Sequence, residues 1–121
     1  MSKRILVVED QEDNRCILRD LLTSVGYEIV EAVTGEDGVR MAETHVPDLI
    51  LMDIQLPGID GYEATRRIKA NVALQQIPVI AVTSYALSGD DVKAFEAGCN
   101  AYVSKPFSPR ALLAKIREFV P

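Results

Sequence analysis

Short apolar runs alternate along this chain with longer stretches in which apolar residues recur every three or four positions. The run Asp48-Leu-Ile-Leu-Met-Asp53, bounded by Pro47 and by the Gln55-Leu56-Pro57-Gly58 turn, reads as a strand buried on both faces. Arg4–Val8, Tyr27–Ala32, Pro78–Val82 and Ala101–Ser104 predict four more strands, with Ile29 pointing opposite to Val30. Between them lie helical patterns. The first starts at Asp13 or Asn14, carries Ile17, Leu18, Leu21, Leu22 and Val25 on one face, and stops at Gly26. Thr34 and Asp37 have capping-box spacing for a second, with Val39, Ala42 and Val46 on its apolar side and Pro47 closing it. Gly61 leads into a third that groups Ala64, Thr65 and Ile68, and residues 71–76 connect it onward. Ser88 and Asp91 repeat the capping spacing for a fourth helix through Val92 and Phe95, stopped at Gly98. Ser108 followed by Pro109 starts the last, with Leu112, Leu113, Ile116 and Phe119 toward the sheet.

Strands separated by helices, with connections too long for hairpins, require parallel crossovers and helices on both sheet faces. Right-handed crossovers leave few topologies. The expected fold is therefore α/β, a flavodoxin-like doubly wound five-stranded parallel sheet of order 2-1-3-4-5. A chain of 121 residues is expected to form one domain, spanning 1–121.

Composition narrows the partners. With 18 acidic against 13 basic side chains the formal charge is −5, which argues against nucleic acid or an anionic membrane. The basic doublet Arg66-Arg67 lies in an amphipathic helix and reads as a solvated face. No apolar stretch is long enough for a membrane span, and Met1-Ser-Lys-Arg4 runs straight into a strand instead of a signal-peptide core. Cys16 and Cys99 lack metal-type spacing and read as core packing, so a reduced, cytoplasmic protein is expected.

The chemistry is at the strand ends. In a parallel sheet all carboxyl ends lie on one edge, where ligands bind. The first strand ends in Glu9 and Asp10, the third in Asp53, the fourth in Thr83 and the fifth in Lys105. Carboxylates brought that close repel one another unless a cation is present, and an all-oxygen site with few protein ligands suits Mg²⁺ better than Ca²⁺. An EF-hand loop starting at Asp10 fails, because its sixth position is Arg15 instead of Gly and its twelfth is Leu21 instead of Glu. A carboxylate can attack a phosphoryl group to form an acyl phosphate, given a cation, a second positive group and a hydroxyl. Asp53 as nucleophile, with Lys105 and Thr83 beside it, meets that demand. The chain has no Gly-x-Gly-x-x-Gly or Walker-type loop, which argues against a nucleotide donor. His45, the only histidine, follows the second helix at the opposite edge, away from this chemistry.

Val8-Glu9-Asp10, Leu51-Met52-Asp53 with Leu56-Pro57-Gly58, Val82-Thr83-Ser84 and Ser104-Lys105-Pro106 together resemble the receiver domain of two-component response regulators, over the whole chain. The resemblance implies transfer of phosphate from a phosphohistidine of a histidine kinase or histidine phosphotransfer protein to Asp53. It implies Mg²⁺ held by Glu9, Asp10, Asp53 and the backbone carbonyl of Gln55, and Lys105 contacting the phosphoryl group. Thr83 is then the switch hydroxyl and Tyr102 the switch aromatic; a cis Lys105-Pro106 peptide is implied, and Gln55 and Tyr85 sit at positions that modulate phosphoryl lifetime. The function expected is a phosphorylation-dependent switch, not a turnover enzyme. Its output is a downstream effector protein, bound through the face of the fourth helix, fifth strand and fifth helix. The chain resembles stand-alone, CheY-like receivers, and the Met52–Pro57 run resembles DivK-like regulators. Alternatives are a receiver segment of a hybrid kinase, a haloacid-dehalogenase-type phosphatase, for which Gln55 replaces a needed Asp, and a flavodoxin-type redox carrier, whose phosphate Glu9 and Asp10 would repel.

Overall fold

The computed structural model describes residues 3–83, 90–105 and 107–120, without the side chains of residues 90 and 91. Strands and helices alternate strictly: β1 (Arg4–Val8), α1 (Glu12–Ser24), β2 (Glu28–Ala32), α2 (Gly35–His45), β3 (Leu49–Asp53), α3 (Gly61–Ala70), β4 (Val79–Thr83), α4 (Asp90–Ala97), β5 (Ala101–Ser104) and α5 (Pro109–Phe119). The five strands form one parallel sheet of order β2-β1-β3-β4-β5, the expected doubly wound arrangement.

Strand alternation divides the core into two. Leu6, Val8, Ile50, Met52, Val79 and Ala81 point to one face, covered by Ala42 of α2, Ala64 and Ile68 of α3 and Ala94 of α4. Ile5, Val7, Leu49, Leu51 and Ile80 point to the other, covered by Leu18 and Leu22 of α1 and by Leu112 and Ile116 of α5. Every residue of β3 and β4 is buried, as strands covered on both sides must be. Ile29 and Val30 of β2 fall in opposite clusters, as alternation requires.

Local chemistry fixes the helix ends. Thr34, Asp60 and Ser108 each accept the N–H of the third residue on, from Asp37, Glu63 and Ala111 respectively. Pro109 takes the first helical position of α5, where its missing N–H costs nothing. Gly26, at a φ of 95°, ends the turn that leaves α1.

Several expectations need correction. The first helix starts at Glu12 with Gln11 as its uncapped N-terminal flank, ahead of Asp13 and Asn14, because the preceding loop is tied down by other groups described below. Its buried stripe is narrower than the pattern suggested: Leu18 and Leu22 reach the sheet, while Ile17 is 57% exposed and Val25 also lies outside. Cys16 is exposed; only Cys99 is a core residue. His45 is the last residue of α2 itself, and its carbonyl accepts from Arg4 Nη1. Among the described side chains of α4, Ala94 and Ala97 are the buried ones, their small size allowing close approach, and Val92 and Phe95 face outward. Arg66 and Arg67 both pair with exposed Glu63, a solvated face as expected. The Ser88–Asp91 capping spacing, Tyr85 and the Lys105-Pro106 peptide lie outside the described residues.

Val46, expected on the apolar face of α2, is instead 55% exposed and closes the helix in the left-handed region at a φ of 44°. A β-branched side chain is strained there, and little burial offsets the strain. Val46→Asn is expected to stabilise the fold by about 1 kcal/mol in urea unfolding. Unchanged or lower stability would show that the site tolerates valine without cost.

Candidate functional site

The sheet register sets up the site before any side chain is considered. Val8 pairs with Met52, so Glu9 emerges from β1 alongside Asp53 at the end of β3, and Asp53 in turn pairs with Val82. Thr83 pairs with Ser104, and the Lys105 N–H donates to the Thr83 carbonyl at 2.6 Å. Four strand ends thus deliver their last residues to one edge.

Glu9, Asp10 and Asp53 each bring a carboxylate oxygen within 4.8 Å of the others. Glu9 and Asp53 are buried and Asp10 half-buried. Lys105 Nζ reaches in from the fifth strand end, 2.8 Å from Glu9 Oε1 and 3.3 Å from Asp53 Oδ1. The Gln11 N–H donates to the other Glu9 oxygen at 3.1 Å. Thr83 is fully buried, and the Gln55 side-chain amide donates to its hydroxyl at 2.9 Å. Tyr102 lies three residues before Lys105, half-buried, opposite Ala81 and against the core beneath α2, α3 and α4.

Packing of this density raises the electrostatic stakes. Burial, and then the neighbouring Glu9 charge, push the Asp53 carboxyl up to about 7 against the opposing pull of Lys105. Glu9 goes the other way. Burial is the largest single influence and pushes upward, but the Lys105 ammonium and the Gln11 N–H together hold the carboxyl below its usual range. Burial likewise disfavours the Lys105 ammonium, yet its bond to Glu9 and the charge of Asp53 overcome that and raise it. At neutral pH the site therefore holds a charged Lys105–Glu9 pair beside an Asp53 that a further cation would drive to full ionisation.

The donor set fits a hard divalent ion such as Mg²⁺. Among the described residues Asp53 Oδ1 is buried with no hydrogen bond, since Lys105 meets it only as an ion pair, and the clustered side chains that could hold an ion are all carboxylates.

The backbone between β3 and α3 is drawn tightly around Asp53. The Gly61 N–H donates to the Ile54 carbonyl, and a Cβ at Gly61 would run into the Asp53 carbonyl oxygen and the Ile54 Cα. In the sequence Gly61 reads only as a helix entry; its real constraint is this approach, which no local pattern reveals.

The family profile of the response regulator receiver domain matches residues 5–117. The chain belongs to that family. Receivers are signalling domains of two-component systems, not substrate-turnover enzymes, which displaces the phosphatase and redox-carrier alternatives. The receiver is similar to the polar-differentiation response regulator DivK of Brucella ovis, 42% identical over 99% of this chain and 98% of that protein. Among solved structures it resembles the receiver domain of the sensor histidine kinase PA1611 from Pseudomonas aeruginosa PAO1, at 38% identity and a TM-score of 0.92. That comparison covers 99% of this chain and 98% of that one, and the neighbour holds a magnesium ion coordinated in its active-site cleft. A CheY-like receiver domain protein of Methanospirillum hungatei JF-1 superposes with a TM-score of 0.89 at 36% identity, covering 98% and 93% of the two chains. Among the described residues no helix is long and apolar enough to cross a membrane.

Proposed function

We propose that this receiver is a phosphorylation-dependent switch in a cytoplasmic phosphorelay. It accepts a phosphoryl group on Asp53 from a phosphohistidine of a histidine kinase or histidine phosphotransfer protein. The observation that carries this reading is the cluster of Glu9, Asp10 and Asp53 within 4.8 Å, with Lys105 joining it from another strand. Glu9, Asp10, Asp53 and the backbone carbonyl of Gln55 would hold Mg²⁺, which would supply positive charge for the phosphoryl oxygens. An Asp53 oxygen attacks phosphorus; the O–P bond forms as the donor P–N bond breaks, and the imidazole leaves. Lys105 then exchanges its carboxylate contacts for a phosphoryl oxygen, stabilising charge as it moves outward from Asp53.

Thr83 and Tyr102 form the readout. A hydroxyl that turns toward the phosphoryl group must leave its present contact with the Gln55 amide, and the space it vacates admits the Tyr102 ring from the adjacent strand. Phosphorylation shifts the population between these two arrangements, and the face of α4, β5 and α5 then binds a downstream effector protein. With a net charge of −5, neither nucleic acid nor an anionic membrane is a partner. The likeness to a kinase receiver supports a second reading, in which the same site serves within a larger hybrid kinase.

With acetyl phosphate and Mg²⁺ the intact protein should gain the mass of one phosphoryl group, and chelation by EDTA should abolish the gain. Absence of any adduct, or an adduct indifferent to EDTA, would overturn the reading.

A further inference from the structure

The loop between β1 and α1 carries two of the three clustered carboxylates, yet α1 has no side-chain cap to stiffen it. Besides the Gln11 N–H bond to Glu9, the loop is held by a side chain from the first turn of the helix that follows. Arg15 Nη1 donates to the carbonyl of Glu9 at 3.0 Å and to that of Asp10 at 3.1 Å, fixing two successive peptide planes. Arg15 is itself anchored. Its side chain is only 17% exposed, and its Nε lies 3.5 Å from Glu31 Oε1 on β2. Arg19 in turn grips both Glu31 oxygens at 2.8 Å. A continuous tie thus runs from the second strand, through Glu31 and Arg15, to the backbone that presents Glu9 and Asp10.

We propose that Arg15 is a positioning residue for the divalent ion: its guanidinium clamps the Glu9 and Asp10 carbonyls so that both side chains are preset to face Asp53. This rests on the phosphorelay reading of the site. The clamp works at no cost to the ligand set, because the carbonyls it occupies belong to residues that contribute carboxylates. Without it the Glu9 carbonyl plane loses this contact and the Asp10 carbonyl plane keeps only the Gln11 N–H bond to Glu9, so ion binding must supply more of the ordering free energy.

Charge and geometry predict opposite signs here. Arg15 is a cation close to a cation site, so by charge alone its removal strengthens Mg²⁺ binding, whereas loss of the clamp weakens it. The test is calorimetric titration of the full chain with Mg²⁺ alone, at about 0.3 M salt, where distant charges are screened. Arg15→Met keeps the apolar stem and removes every donor. It is expected to bind Mg²⁺ about tenfold more weakly while circular dichroism shows the native fold. Native or tighter affinity in folded Arg15→Met overturns the clamp. Should that variant not fold, Glu31→Gln, which loosens the anchor and whose lost charge is largely screened at this salt, decides: about threefold weaker binding is expected, and unchanged affinity overturns the proposal. A wild-type protein that binds no Mg²⁺ instead removes the phosphorelay reading itself, and the clamp with it.

Discussion

Asp53→Asn is expected to take up no phosphoryl group from acetyl phosphate and, without Mg²⁺, to be more stable than the wild type at neutral pH. Both effects come from one carboxylate. Asp53 is buried beside Glu9 and Asp10, and burial first, then the Glu9 charge, raise it from 3.8 to about 7. A group whose folded pKa exceeds its unfolded one favours folding while protonated. That contribution is complete below about 3.8 and is lost as pH rises through about 7. Above that range the folded protein must hold an ionised carboxylate that it disfavours; at 1.36 kcal/mol per pH unit the cost is bounded by about 4 kcal/mol. The neutral amide escapes that cost but still buries a polar group, so about half of it, about 2 kcal/mol, is the expected gain; Glu9, held low by Lys105, shifts in the opposite direction. The melting temperature of Asp53→Asn should exceed that of the wild type by about 8 °C near pH 8, with the difference closing toward pH 4. Mg²⁺ should narrow the gap from the wild-type side only, because the amide forfeits an ion ligand. A phosphorylated Asp53→Asn would refute the nucleophile assignment. A stability gain independent of pH would place its origin outside the carboxylate cluster.

The sequence carried the sheet and its functional edge because both follow from short-range pattern plus topology. Five apolar runs separated by amphipathic segments determine a parallel sheet, and a parallel sheet sends Glu9, Asp53, Thr83 and Lys105 to one side whatever their rotamers. What it did not carry was anything that depends on how wide a helix face is or on who holds whom. Ile17 and Leu18 are equally apolar neighbours, yet only Leu18 is buried, because α1 meets the sheet along a narrow line. Val46 fits the helical period of α2 but is turned out by the left-handed backbone that ends it. Arg15 and Gln55 were visible as residue types, one as a misfit in a calcium loop and the other as the neighbour of a nucleophile. Their side-chain contacts, with the Glu9 and Asp10 carbonyls and with the Thr83 hydroxyl, join segments that periodicity cannot relate.

Lys105→Met separates two roles that the wild type combines. The ammonium neutralises Glu9 at 2.8 Å and Asp53 at 3.3 Å, and in the proposed mechanism it later stabilises the transferred group. Removing it leaves buried carboxylates without their cation, a loss of several kcal/mol for a fully enclosed pair and about 2 kcal/mol here, since the lysine side chain is 19% exposed. The pH trend should distinguish the two proteins. In the wild type Glu9 is held below its usual range, chiefly by Lys105 acting against burial, so its share of stability is lost as pH falls. In the variant the Gln11 N–H stays on Glu9, but burial and mutual repulsion act without the ammonium, so both carboxyls move upward and stability should rise as pH falls from about 8 toward 5. Mg²⁺ should bind the variant more tightly, with no ammonium to displace, and should restore much of the lost stability. Phosphorylation by acetyl phosphate at saturating Mg²⁺ should nevertheless slow by about 100-fold or more, as for other preorganised donors to developing phosphoryl or oxyanion charge. Tighter ion binding with slower phosphoryl uptake is the signature of a lysine that acts on the transferred group. A rate within a few-fold of the wild type would remove Lys105 from the chemistry and leave it as a counter-charge for Glu9.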